Sequence, residues 1–113
     1  MTSTVQLSKD QETVVIKAGP ALDFRNAALF RKQCESMAEA GANTFVVDLS
    51  ETDVLDSTGL GALFTMYRHM KKQGGRIMLA APTRAVVVVI ALTKCDRIFD
   101  TYPTVEAALR SIA

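Results

Sequence analysis

Residues 44–70 read TFVVDLSETDVLDSTGLGALFTMYRHM, and a change of period inside this stretch decides the architecture. "TFVVDLS" (44–50) is a near-continuous apolar run of strand length, as suits a strand covered on both faces. From residue 60 the pattern turns helical. Leu60, Leu63, Phe64, Tyr67 and Met70 fall at i, i+3, i+4, i+7 and i+10, one predicted inward stripe. "KKQGG" (71–75) then supplies cations for the negative end of a helix dipole and glycines for a left-handed exit. The junction between the two periods is "DSTGLG", which places Asp56 to cap the helix and Ser57 at its first position.

Downstream, "RIMLAA" (76–81) predicts another buried strand. Upstream, "TVQLSKDQETVVIKAG" predicts a hairpin of Val5–Leu7 and Thr13–Lys17 around the polar turn "SKDQE". "GPALD" is a loop broken by Gly19 and Pro20. Asp23 is predicted to cap a helix running to about Ala40, because Ala27, Phe30, Cys34, Met37 and Ala38 recur at helical spacing before Gly41, a helix stop. "PTRAVVVVIALTK" is ambiguous. The β-branched run Val86 to Ile90 argues for a strand, yet successive parallel strands need a crossover, so a short helix after Pro82 is predicted. "RIFDT" (97–101) is the last predicted strand, and "PTVEAALRSIA" a terminal helix with Val105, Ala108, Leu109 and Ile112 inward. The alternation defines an α/β fold with a mostly parallel sheet and an antiparallel strand at its start.

At 113 residues the chain is expected to form a single domain, 1–113. A hydrophobic content of 49% and a charged content of 22% are ordinary for a soluble globular domain. The net charge of +1 gives no electrostatic reason to expect nucleic acid or an anionic membrane as partner. Aromatic residues are 6% with no Trp, which leaves no base-stacking platform. No stretch approaches the roughly 20 apolar residues of a membrane span. The start "MTSTVQLSKDQE" lacks a basic-then-apolar leader, so a cytoplasmic location is expected. Cys34 and Cys95 lack metal-site spacing and are expected to be reduced, buried thiols.

Catalytic readings of the junction fail on spacing. Aspartic proteases use Asp-Thr/Ser-Gly, but an extra residue separates Asp56 from Gly59, and a helix follows. A serine nucleophile elbow needs G-x-S-x-G, and Leu55 occupies the first of those glycine positions. The one histidine, His69, lies on a charged helix face, and no base is placed to activate Ser57. A dinucleotide motif would need a third glycine where Phe64 stands, and no phosphate-cradling lysine follows the glycines. No metal-ligand cluster is present, so neither metal nor cofactor is expected, and the chain is not expected to be an enzyme. Two readings of the junction stay open. Asp56, Ser57 and Thr58 cap a helix and nothing more, or Ser57 is a hydroxyl placed where unpaired N–H groups and the helix dipole tolerate a phosphate. The helix face opposite the core stripe reads Thr58, Gly61, Ala62, Thr65 and His69, mostly small residues that let a partner approach the backbone or simply face solvent.

Over nearly its whole length the chain resembles a STAS domain of the anti-sigma factor antagonist (anti-anti-sigma factor) family. The resemblance rests on Leu22-Asp23 at the first helix start, "FVVDLSETDVLDSTGLGAL" (45–63), "KKQGGRIMLAAP" (71–82) and a short helix before "IF" (98–99). It implies the STAS fold: a mixed, mostly parallel sheet of four to five strands with about four helices packed mainly on one side. It also implies that Ser57 is the phosphorylated residue, with Asp23, Asp56, Thr58 and Gly59 supporting the phosphosite. The implied partners are a serine-kinase anti-sigma factor of the GHKL ATPase type, which binds the unphosphorylated protein and modifies it, and a PP2C-type phosphatase that reverses the modification. The implied role is transcription regulation by partner switching, through protein–protein interaction. The alternative is a STAS subunit held permanently in a larger complex, such as a lipid-transport ATPase or a sensory complex, without a phosphoswitch. A third reading, nucleotide binding, lacks the lysine noted above. The family commonly carries a charged, often basic pair in its third helix, where this chain has Val87 and Val88. Either the helix buries them, or they join Gly61, Ala62 and Thr65 as partner-binding residues.

Overall fold

The computed structural model describes residues 3–5 and 13–112. In chain order these form β1 (Ser3–Val5), β2 (Thr13–Lys17), β3 (Ala21–Leu22), α1 (Ala27–Glu39), β4 (Thr44–Asp48), β5 (Val54–Leu55), α2 (Ser57–Lys72), β6 (Arg76–Ala80), α3 (Arg84–Leu92), a 3₁₀ turn (Cys95–Arg97), β7 (Asp100–Tyr102) and α4 (Val105–Arg110). The main sheet has the order β1-β2-β4-β6-β7, with β1 antiparallel to β2 and every other pair parallel. Its three central strands run level, from the row Thr13–Thr44–Arg76 to the row Lys17–Asp48–Ala80.

All five residues of β4 are buried, as the unbroken apolar run requires. Alternate residues serve two separate cores. Phe45 and Val47 face α1, α2 and α3, where they meet Phe30, Cys34, Leu63, Met66, Met70, Val86 and Ile90. Val46 faces the other way, with Val15, Met78 and Ala80, under Ala108 of α4. Three helices on one face and one on the other is the expected STAS-type layering. Fully buried side chains such as Phe30, Phe45 and Leu63 each contribute about 1.5–3 kcal/mol by leaving water. Burial and the nearby Glu35 push the Cys34 thiol up to about 12, so it stays neutral at ordinary pH.

Several expectations need correction. The first helix begins at Ala27, with Asn26 in the N-cap position, not at Asp23. Residues 21 and 22 are taken by β3, and a tight turn follows: the Asp23 carbonyl accepts the N–H groups of Asn26 and Ala27 at 3.1 and 2.8 Å. The last strand is Asp100–Tyr102, because Cys95–Arg97 form the 3₁₀ turn and Phe99 drops into the core. Leu7 and the predicted hairpin turn lie outside the described residues. Phe64, assigned to the inward stripe, is 39% exposed, while Met66 is fully buried. The buried line of α2 runs Gly59, Ala62, Leu63, Met66 and Met70, and Phe64 sits at its margin stacked on Tyr67 with ring centroids 6.2 Å apart. The helix after Pro82 does form. Thr83 caps it by accepting from the Val86 N–H at 3.4 Å and donates its own hydroxyl to the Thr52 carbonyl at 2.5 Å. Tertiary anchoring of Val86 and Ile90 outweighs the modest helix penalty of β-branched residues.

Candidate functional site

The site is built by a second, two-stranded sheet. β3 and β5 pair in parallel, Ala21 with Val54 and Leu22 with Leu55. Asp23 and Asp56 are the next residues on each strand, so two acids distant in sequence come to neighbouring positions. Asp56 then divides its carboxylate between the start of α2 and the turn before α1. One oxygen, Oδ1, accepts the Gly59 N–H at 2.8 Å and so caps α2; the other, Oδ2, accepts the Phe24 N–H at 3.0 Å. The expected N-cap role holds, and a tie to the turn before α1 is added to it. Its carbonyl accepts the Leu60 N–H at 2.9 Å, the first bond of the helix ladder.

Ser57 is the first residue of α2 and is exposed, as is Thr58. Gly59 is buried against β3: a Cβ there would collide with the Leu22 carbonyl oxygen and come within 3.0 Å of the Leu55 side chain. The missing side chain lets α2 start in contact with the β3 backbone. Asp23 is not a helix cap. Its side chain, only 6% exposed, pairs with Arg25, whose side chain is 66% exposed. The Arg25 Nη2–Oδ2 distance is 2.7 Å, and Nε lies 3.1 and 3.2 Å from the two carboxylate oxygens. These hydrogen bonds hold the Asp23 carboxyl below the usual carboxylate range, with burial working against them and the Arg25 backbone N–H and charge adding to them.

Between α1 and α2 lies an open groove of about 370 Å³. Thr58, Gly61, Ala62 and Thr65 line one wall and Ala27, Ala28 and Arg31 the other. The small residues predicted to admit a partner thus flank an actual depression beside the Ser57 end of α2. Ala62 needs correction: expected on the outward face, it is 6% exposed and packs into the core at the base of the groove. Val87 and Val88 are 46% and 49% exposed on α3, which answers the burial question, but they are not among the groove's lining residues. Sequence reasoning missed Phe24, 73% exposed, and Arg25. An aromatic between two charges in "DFR" was the available signal, but its value depends on the β3–β5 pairing. Among the described residues no group of three or more His, Cys, Asp or Glu could hold a metal, and no helix is long and apolar enough to cross a membrane.

A mixed sheet with three helices on one face, and a capped helix that opens on an exposed serine beside a groove, defines a STAS-type domain. The chain belongs to the STAS domain family, whose model matches residues 4–108. A Thermotoga maritima protein described as a candidate anti-sigma factor antagonist is 28% identical over 102 residues, 89% of this chain and 90% of its own. The anti-sigma-B factor antagonist of Bacillus subtilis is 25% identical over 100 residues, 88% of this chain and 91% of its own. The crystal structure of the Thermotoga maritima protein matches with a TM-score of 0.83 at 26% identity, covering 96% of this chain and 92% of that one. The anti-sigma factor antagonist SpoIIAA in its unphosphorylated form shares the fold with a TM-score of 0.82 at 20% identity, covering 98% and 96%. The Bacillus SpoIIAA in its phosphorylated form does so at 0.75 and 19% identity, covering 99% and 100%.

Proposed function

We propose that this chain is a cytoplasmic anti-sigma factor antagonist without catalytic turnover, switched by phosphorylation of Ser57. The unphosphorylated form docks on a serine-kinase anti-sigma factor of the GHKL ATPase type; phosphorylation releases it, and a PP2C-type phosphatase restores it. The observation that carries this reading is an exposed hydroxyl at the first position of a 16-residue helix, on an anchored helix start and next to a groove of small residues. A phosphate there brings roughly −1.5 to −2 charge, partly offset within the domain by the helix dipole. On a desolvated partner surface the same charge is costly. The fold is kept while the docking face gains negative charge. The names of the relatives, and a family fold known in both phosphorylation states, support the reading.

Intact-mass spectrometry after incubation with the cognate kinase and ATP tests it. The expected result is one added phosphate, about 80 Da, which fragmentation places on Ser57. An unmodified chain, or a phosphate elsewhere, overturns it.

Phe24 is expected to be the strongest apolar contact of the docking face. Its ring is exposed, and its backbone is tied to the residue before Ser57. Phe24→Ala should weaken kinase binding by about 30-fold, the loss of one buried aromatic anchor, and change folding stability by less than about 0.5 kcal/mol. Calorimetric titration and urea unfolding of the same samples check the pair.

One observation favours permanent membership of a larger complex instead. On α3, Val87 and Val88 are half exposed and Leu92 is 77% exposed, an apolar face suited to a standing partner. Under that reading the protein purifies from its own cells with its partner and carries no phosphate.

A further inference from the structure

Building on the phosphoswitch reading, we infer that Arg25 is the clamp for the Ser57 phosphate: its guanidinium leaves the Asp23 carboxylate and closes on the phosphoserine. Placement comes first. Phe24 N–H and Asp56 Oδ2 are 3.0 Å apart, and Arg25 and Ser57 are each one residue beyond that hydrogen bond. The pairing of Leu22 with Leu55 holds the two segments side by side. Arg25 already senses this neighbourhood, since its pKa is raised by its hydrogen bond to Asp23, then by the charge of Asp23, and further by the charge of Asp56.

Availability comes second. The pair with Asp23 uses the Nε and Nη2 edge of the guanidinium, on a side chain that is 66% exposed. The fork therefore needs only a rotamer change to address a new acceptor, and its geometry matches a phosphate in the two-pronged way it matches a carboxylate. Asp23 is not orphaned by the exchange, because its Oδ1 also accepts the Arg25 backbone N–H at 3.0 Å. The other guanidinium near the groove, Arg31, is engaged one turn along its own helix by Glu35 at 3.3 Å. Without a cation, phosphorylation would gather Asp23, Asp56 and a phosphate dianion at one helix start. With Arg25 turned inward the domain tolerates the charge, while the face offered to a partner gains the phosphate and an unmasked Asp23.

The clamp is tested on protein carrying phosphoserine incorporated at position 57 during translation, so that its outcome does not depend on any kinase. The second ionisation of the phosphate is followed by ³¹P NMR against pH. The native sequence is expected to titrate at least about half a pH unit below Arg25→Gln, with Arg25→Lys between them and Arg31→Gln coincident with the native sequence. Coincident midpoints for the native protein and Arg25→Gln, or an equal displacement by Arg31→Gln, overturn the clamp. The phosphoswitch reading is decided separately by the kinase experiment.

Discussion

Ser57→Ala should bind the kinase partner with the affinity of the unmodified protein whether or not ATP is present, and Ser57→Asp should lose roughly 10²–10³-fold. The difference comes from the partner's side. Ser57 is exposed and makes up the first position of α2, so neither substitution disturbs the core. A carboxylate near the positive end of a helix even gains about 0.3–1 kcal/mol for the free domain. In the complex the same carboxylate must give up water, which is costly unless a cation meets it there. The aspartate carries one charge where a phosphate carries nearly two, so the phosphorylated native protein should bind more weakly still. Titration calorimetry at two salt concentrations checks both points. The gap between Ala and Asp variants should narrow as salt rises, because the long-range part of the repulsion is screened over about 8–10 Å at physiological ionic strength. Equal affinities for the two variants would remove Ser57 from the interface and with it the switch.

What could be read in the sequence divides along a physical line. Long periodic elements were legible because burial imposes the period. The apolar run at 44–50 contains the central strand Thr44–Asp48, Phe30 and Cys34 mark the inner face of α1, and Val86 and Ile90 anchor α3 in spite of their β-branching. Asp56 was legible as a cap because capping is local: acceptor and donor lie three residues apart. The rest of the site depends on contacts that have no period. β3 and β5 are two residues each, too short to leave a pattern, yet their register is what brings Asp23 beside Asp56. With that pairing unseen, the sequence places the helix start at Asp23, three residues too early, and Phe24 and Arg25 read as ordinary residues of its first turn. Phe64 and Ala62 changed places for a related reason. The buried line of α2 begins at Gly59, which lies against β3, and a helical wheel drawn from Leu60 onward does not contain that contact.

That contact carries a large expected stability effect. A glycine inside a helix is usually improved by alanine, by about 0.5–1 kcal/mol, since alanine restricts the unfolded chain and suits helical backbone. Gly61 should follow that rule, because a Cβ there meets open space. Gly59, two residues earlier in the same helix, should do the opposite. Its Cβ would be driven into the Leu22 carbonyl oxygen and within 2.9 Å of the carbonyl carbon, which are backbone atoms with no rotamer to escape into. Relief requires the first turn of α2 to move off β3, which stretches the Asp56 N–H bond to the Leu22 carbonyl at 3.4 Å and the Phe24 N–H bond to Asp56 at 3.0 Å. Overpacking of this kind costs about 1–3 kcal/mol, and the lost ties add to it, so Gly59→Ala should lower the thermal midpoint by roughly 10 °C or more. Urea unfolding of the two single variants gives the comparison directly: Gly61→Ala above the native midpoint, Gly59→Ala well below it. The two should also part in function. Gly61→Ala leaves the Ser57 helix start anchored and only narrows the groove, whereas Gly59→Ala loosens the segment that holds Asp56 against the turn before α1 and should weaken partner binding even where the domain remains folded. Equal unfolding midpoints for the two variants would mean that α2 is not seated on β3, and the register that assembles the site would fall with it.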